Sequence, residues 1–197
     1  MMKLKPQNTY RHLCNFAATA TSRPILQAIH FTPDGHIEAT NSHILLRLLN
    51  RIDSRVDPLP DLALHPKELR EFEGSYPETS RLFPANFTTN WYLSRETAAE
   101  VAKYLKSLDK ESTVQLSIST DGMAVSGKGS EASFPLHGLS GDQTTIAFKC
   151  KYLICVMAFI ADCSPMPVQF RALSPIRPMV FKIDGLFEGL IAPVRTK

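Results

Sequence analysis

Apolar and polar positions follow two periods along this chain, first three or four residues and then two, and the alternation repeats. In residues 8–21 the apolar Leu13, Phe16, Ala17 and Ala20 predict an amphipathic helix. Asn8 is its N-cap, and Arg11, His12 and Asn15 lie off the apolar face. Pro24 closes this helix by restricting the residue before it. Ile25, Leu26, Ile29 and Phe31 then predict a strand, and Pro33-Asp34-Gly35 a turn. Residues 36–40 form a second strand, Asn41-Ser42 a tight turn, and residues 43–49 a third strand. Residues 3–5 add a short edge strand before the helix, closed by Pro6.

The pattern returns at Trp91. Residues 91–93 predict a strand, Ser94 an N-cap, and residues 95–108 a helix with Ala98, Val101, Leu105 and Leu108 on one face. Strands follow at 113–119, where Val114, Leu116 and Ile118 alternate, then at 123–126 and 132–137, and 138–142 reads as a loop. A third copy has a strand at 144–149, a nearly all-apolar and therefore buried helix at 151–163, and strands at 165–171, 179–183 and 189–194. The unit is strand, helix and three strands, with a period of about fifty residues. Between the first and second copies, residues 52–85 are proline-rich. A short strand at 59–64 and a single helical turn at 67–72 are the elements expected there, and 74–84 reads as an irregular connector.

With 197 residues the chain is long enough for one large domain or two small ones. The first residues lack the apolar stretch of a signal peptide, and residues 152–161 are too short for a bilayer, which takes about 20, so a cytoplasmic location is the expectation. Cys14, Cys150, Cys155 and Cys163 have no metal-site spacing and read as reduced thiols in or beside apolar helices. His30, His36 and His43 lack acidic or thiol ligands at a useful spacing, so no metal or cofactor is expected. No nucleophile motif or phosphate loop is present, and nothing points to an enzyme. A net charge of +3 permits contact with a polyanion without making the whole surface basic. Arg11, Arg23, Lys103, Lys106, Lys110, Lys149 and Lys151 fall on or at the ends of the three helices. They read either as a solvated face or, if the helices share one surface, as a stripe that neutralises phosphates without reading bases.

Several segments resemble the bacterial sliding clamp family, the β subunit of DNA polymerase III. Arg23-Pro-Ile-Leu26 and Ala39-Thr-Asn-Ser-His43 resemble its R-P-I-L-like strand and A-T-D-G-H-R-L-A. The segment from Glu73 to Pro84 resembles its E-G-x-[FY]-P-D-Y-x-R-[VIL]-[IL]-P. Phe148-Lys-Cys-Lys-Tyr-Leu153 is similar to F-N-x-x-Y-L, Ala172-Leu-Ser-Pro175 to P-L-S-P, and the end at Arg195 to V-M-P-M-R. The resemblance implies an α+β DNA-clamp fold of repeated half-domains, with helices on one face of antiparallel sheets. Residues 1–52 would be a half-domain, 53–89 a connector, and 90–197 a complete domain.

It also implies a processivity factor that encircles duplex DNA and binds clamp-motif peptides of polymerases. Its peptide groove would use Leu26, Thr40, His43 and Leu45 of the first meander, with Pro77, Arg81 and Leu82 of the connector. Tyr152, Leu173, Ser174, Leu190, Pro193, Val194 and Arg195 would complete it. Ile44 replaces an expected arginine, and Ala192 and Val194 replace methionines. Three half-domains where the family has six predict that the first unit has an unpaired sheet edge and helix face, covered by a second copy in a homo-oligomer. The alternative is a clamp-derived decoy or regulator that binds replication partners without encircling DNA.

Overall fold

The computed structural model describes residues 6–49, 60–68 and 70–195. The first unit contains α1 (Pro6–Phe16), β1 (Ile29–Phe31), β2 (Ile37–Thr40), β3 (Ile44–Leu48) and β4 (Leu62–Leu64). The second contains β5 (Thr89–Leu93), α2 (Arg95–Lys106), β6 (Thr113–Ser119), β7 (Gly122–Gly127), β8 (Ser130–Phe134) and β9 (His137–Gly141). The third contains β10 (Thr144–Lys149), α3 (Cys150–Cys163), β11 (Val168–Ala172), β12 (Met179–Ile183) and β13 (Phe187–Ile191). The strand expected at 3–5 lies outside the described residues.

Among the described residues all strand pairing is antiparallel, in a sheet ordered β4-β1-β2-β3-β13-β12-β11-β5-β9 and another ordered β10-β6-β7-β8. Helix α3 packs against both α1 and α2. One continuous core joins the helices to both sheets, from Leu13 and Phe16 of α1 through Phe159 of α3 to Phe181 and Phe187. The architecture is α+β, with the helices packed on antiparallel sheets.

Several expectations are corrected. Helix α1 ends at Phe16 rather than 21 because the Ala18 amide bonds Leu26 O, breaking the helical ladder. Asn8 accordingly lies within this helix rather than at its cap. Residues Pro24–Gln27 are a 3₁₀ turn rather than strand, closed by the Leu26 amide on Arg23 O and the Ala28 amide on Ile25 O. Among the described residues of 67–72 no helix forms. The Phe72 amide bonds Ala63 O and Glu71 bridges Leu64, so the chain doubles back along β4. Of the expected loop at 138–142, residues 138–141 belong instead to β9, which is paired with β5. The third helix is not buried all round, since Lys151, Tyr152, Ile154, Cys155, Ala158, Ala161 and Asp162 are only partly covered.

The first unit's sheet edge is not bare. β3 pairs along its length with β13, from Leu48 opposite Phe187 to Ile44 opposite Ile191. Its helix is covered by α3, where His12 and Phe16 of α1 meet the Phe159 ring edge-on. No second copy is needed to cover these surfaces.

Candidate functional site

The β3–β13 seam positions two adjacent rows of side chains on the sheet face turned away from the helices. Ile44, Leu46 and Leu48 of β3 enter the main core, so period-two alternation turns Leu45 and Arg47 outward. One row is apolar at its centre, with Thr40 opposite Leu45, Leu45 opposite Leu190, Leu190 opposite Val180, and Val180 opposite Arg171. Phe83 and Phe87 lie over Leu45, Val180 and Leu190, and the Arg171 guanidinium sits 4.1 Å from the Phe87 ring centroid.

The next row is charged. His30 pairs with Glu38, Glu38 with Arg47, Arg47 with Glu188, Glu188 with Lys182, Lys182 with Gln169, and Gln169 with Tyr92. Opposite charges stand next to one another across the seam, the arrangement that cross-strand pairing rewards. Glu38 is only 1% exposed. Its carboxylate accepts from Arg47 Nε at 2.9 Å and Thr79 Oγ1 at 2.7 Å, and lies 2.9 Å from His30 Nδ1. Burial works to raise the Glu38 carboxyl pKa, but the His30 and Thr79 hydrogen bonds and the Arg47 charge outweigh it and hold it below the ordinary value.

Arg47 also donates to Glu188 at 3.0 Å, Thr79 Oγ1 at 2.5 Å and Ser80 Oγ at 3.2 Å. It thereby ties β2, β13 and the connector together. Sequence pattern alone does not single out this group, because Glu38 and Arg47 occupy ordinary outward positions of strands.

A second region lies at the β2–β3 turn. A cavity of about 620 Å³ opens between that turn, the segment after α1, and the start of α3. Leu26, His43 and Tyr152 line it, and the His43 and Tyr152 rings stack with centroids 4.8 Å apart. Arg23 and Lys151 line the same cavity. Asn41 Oδ1 accepts from the amides of His43 and Ile44, which fixes the turn and presents His43. Ser42 occupies the left-handed region at φ 76°.

The remaining expected groove residues are distributed along these two regions. Thr40 is buried, its hydroxyl donating to Ile44 O and its amide to Tyr76 Oη. Pro77 lines a separate polar cavity of about 370 Å³ with His30, Glu38 and Arg47. Arg81 and Leu82 form part of a 3₁₀ turn, Ser80–Leu82, and Leu82 is 48% exposed. Leu173 O accepts from Thr88 Oγ1, and Ser174 O accepts from the Arg177 amide, in the loop after β11. Pro193 and Val194 are half-buried, Val194 donates its amide to Ala147 O, and Arg195 is exposed.

The helix-side cations separate into two groups. Lys103 and Lys106 of α2, and Lys110 beyond its end, are exposed, and none of the three forms an ion pair among the described residues. Arg11 instead pairs with Asp162 at 2.7 Å, and Lys151 with Glu111 at 2.8 Å. Lys149 Nζ donates to Glu111 O, and Arg23 approaches Ser42 Oγ at 3.5 Å. The three histidines occupy separate settings: His30 between Glu38 and Asp61, His36 beside Asp34, and His43 on Tyr152. Among the described residues, no helix is long and apolar enough to cross a membrane.

No family model matches the chain. It is 28% identical to the beta sliding clamp of Streptococcus pneumoniae over 91% of its own length and 60% of that protein's. The chain thus spans about three fifths of the curated relatives it matches. Among solved structures, the DNA polymerase sliding clamp of Bacillus subtilis superposes with a TM-score of 0.84 at 18% identity, covering 99% of this chain and 64% of that one. The Helicobacter pylori beta clamp, solved bound to a DNA ligase peptide, superposes with a TM-score of 0.80 at 13% identity, covering 96% and 63%. The chain therefore has the fold of the bacterial β sliding clamps and resembles that family in sequence over about three fifths of a family member's length.

Proposed function

We propose that this chain is a non-enzymatic, sliding-clamp-like replication protein that captures short apolar peptides and contacts duplex DNA without reading sequence. The observation that carries the reading is the cavity at the β2–β3 turn, where Leu26, His43 and Tyr152 meet from three separate segments. An apolar wall with a few polar groups, formed where units join, suits a peptide anchor. Leu45 and Leu190 support this region from beneath Phe83 and Phe87, and the neighbouring connector turn exposes Leu82. On the helix side, Lys103, Lys106 and Lys110 supply phosphate contacts that are sequence-independent. Encirclement of DNA requires further copies of the chain, so a homo-oligomer belongs to this reading, with residues 1–52 acting as the half-domain and 90–197 as the complete one.

A second reading, the decoy or regulator, is favoured by the state of the other cations. Arg11 and Lys151 are paired with Asp162 and Glu111, and beyond Lys151 the partly covered side of α3 carries Ile154, Ala158 and Ala161 with no further basic residue. One experiment separates the two. A fluorescein-labelled DNA ligase peptide of the kind held by the H. pylori clamp should bind in anisotropy titrations, and His43→Ala with Tyr152→Ala should weaken it at least tenfold. A clamp should also remain on nicked circular DNA and leave once it is linearised. Peptide binding with no DNA retention selects the decoy, and absence of peptide binding removes both.

A further inference from the structure

Arg47 stands at the middle of the charged row, and its guanidinium reaches the connector on both sides of the exposed Arg81–Leu82 pair. Upstream it donates to the hydroxyls of Thr79 and Ser80. Downstream its Cζ lies 5.3 Å from the Phe83 ring centroid. Phe83 in turn packs on Leu45, Val180 and Leu190. The 3₁₀ turn that presents Leu82 is therefore held at both ends through one side chain.

That side chain is held in turn by Glu38, and Glu38 by His30. The His30 ring has a carboxylate at each nitrogen, Glu38 Oε1 at 2.9 Å from Nδ1 and Asp61 Oδ1 at 2.5 Å from Nε2. Two carboxylate partners can both be satisfied only if both ring nitrogens donate, which is the imidazolium form. The Tyr76 ring, also from the connector, stacks on His30 at 4.2 Å between centroids. Asp34, His36 and Glu78 face the group across the polar cavity.

We propose that His30, Glu38 and Arg47 are positioning residues for peptide capture: protonated His30 fixes Glu38, Glu38 fixes Arg47, and Arg47 sets the connector turn carrying Arg81 and Leu82. This rests on the peptide-binding reading above for its consequence, but the latch itself is a property of the fold. Burial works against a charge on His30, but hydrogen bonds and charge from Glu38 and Asp61 outweigh it and raise its pKa above the ordinary 6.5. A raised pKa means that the latch is complete below about pH 6.5 and is lost as pH rises through the folded-state value. Once His30 is neutral, one nitrogen presents a lone pair to a carboxylate. With the remaining proton on the shorter Asp61 contact, that lone pair faces Glu38, and the Glu38 contact is the one that opens.

The test is hydrogen exchange on the full chain across residues 78–83, corrected for intrinsic exchange, from pH 6 to pH 9. Protection there should fall at least tenfold across this range while β6 and β7 amides hold theirs. His30→Gln, whose single amide nitrogen cannot span both carboxylates and cannot ionise, should flatten the profile at the low-protection level. Arg47→Met should lose protection at every pH, with retained β6 and β7 protection showing that it folds. Affinity for the labelled ligase peptide should fall about tenfold with the same midpoint as the exchange profile. Wild-type protection independent of pH, or an unaltered profile in His30→Gln, overturns the latch. A pH-dependent latch with pH-independent peptide affinity overturns its role in capture. If the peptide binds at no pH, capture has failed as a function and the exchange profile alone decides the latch.

Discussion

β3 and β8 occupy equivalent places in two copies of one unit, each the last strand of a meander that follows a helix, yet their surroundings are opposites. In β4-β1-β2-β3 the outer edge of β3 is filled by β13, and all five of its residues are buried. In β10-β6-β7-β8 the outer edge of β8 is open, and none of its residues is fully buried. The sequences answer to this difference. Ile44-Leu-Leu-Arg-Leu48 is apolar on both faces, with Arg47 satisfied by Glu38, Glu188 and Thr79. Ser130-Glu-Ala-Ser-Phe134 instead keeps small and polar residues at a bare edge, as edge strands do. Equivalent elements thus diverge according to what lies beside them rather than according to the unit they belong to.

A substitution at the seam gives the largest expected effect. A Cβ at Gly189 would lie 2.2 Å from Phe181 Cζ and 2.6 Å from Leu45 O, which is backbone of the paired strand. Gly189→Ala should therefore cost about 3 kcal/mol, the upper end of overpacking penalties, in urea unfolding. Ser133→Lys on exposed β8 should change stability by less than about 0.5 kcal/mol, the range of ordinary surface changes. Equal costs at the two sites would remove the distinction between a structural seam and a free edge.

The course of the chain beyond the fourth strand supplies a second contrast. After β10 it enters α3. After β4 it makes a tight turn and runs back, so that Phe72 and Tyr76 close a small core with Leu26, Ala28 and Ala63. The Tyr10 hydroxyl donates to Pro66 O at 2.7 Å, drawing this turn onto α1. The connector is in effect the first unit's second layer. Tyr76 Oη accepts from the buried Thr40 amide at 3.1 Å. Tyr76→Phe should leave that donor unpaired and cost about 1.5 kcal/mol in the same unfolding assay. A neutral result would mean that the connector merely lies on the sheet.

These contrasts mark how far the sequence conveys the fold. β6 was legible to the residue because Val114, Leu116 and Ile118 alternate and are the buried positions of Thr113–Ser119. β9 was not, because Gly138 and Gly141 are loop residues by type. Gly141 is in the strand at φ 93° because any Cβ there would meet Thr88 O. Pro24 preset a turn where Ile25 and Leu26 read as strand by their side chains alone. The cavity's residues were recoverable from their resemblance to a known family, since His43 and Tyr152 are 109 positions apart and nothing local brings them together. The His30–Glu38–Arg47 relay depends on a connector about thirty residues further on. Without it, His30, Glu38 and Arg47 look like the polar positions of a half-exposed meander.

A small stabilising effect concerns the turn that the seam and the cavity share. Ser42 adopts φ 76° where the resembled family has glycine, and Asn41 holds the turn from the other side with two amide hydrogen bonds. A side chain in the left-handed region costs about 1 kcal/mol, offset partly by the greater backbone freedom glycine has when unfolded. Ser42→Gly should therefore stabilise the chain by about 0.5 kcal/mol. It also removes the Oγ that Arg23 approaches, freeing Arg23 at the cavity mouth. If Ser42 is strained only to present His43, peptide affinity should be unchanged while the melting temperature rises. If affinity falls with the gain in stability, the serine is part of the cavity wall, and the β2–β3 turn is shaped for its ligand as well as for its strands.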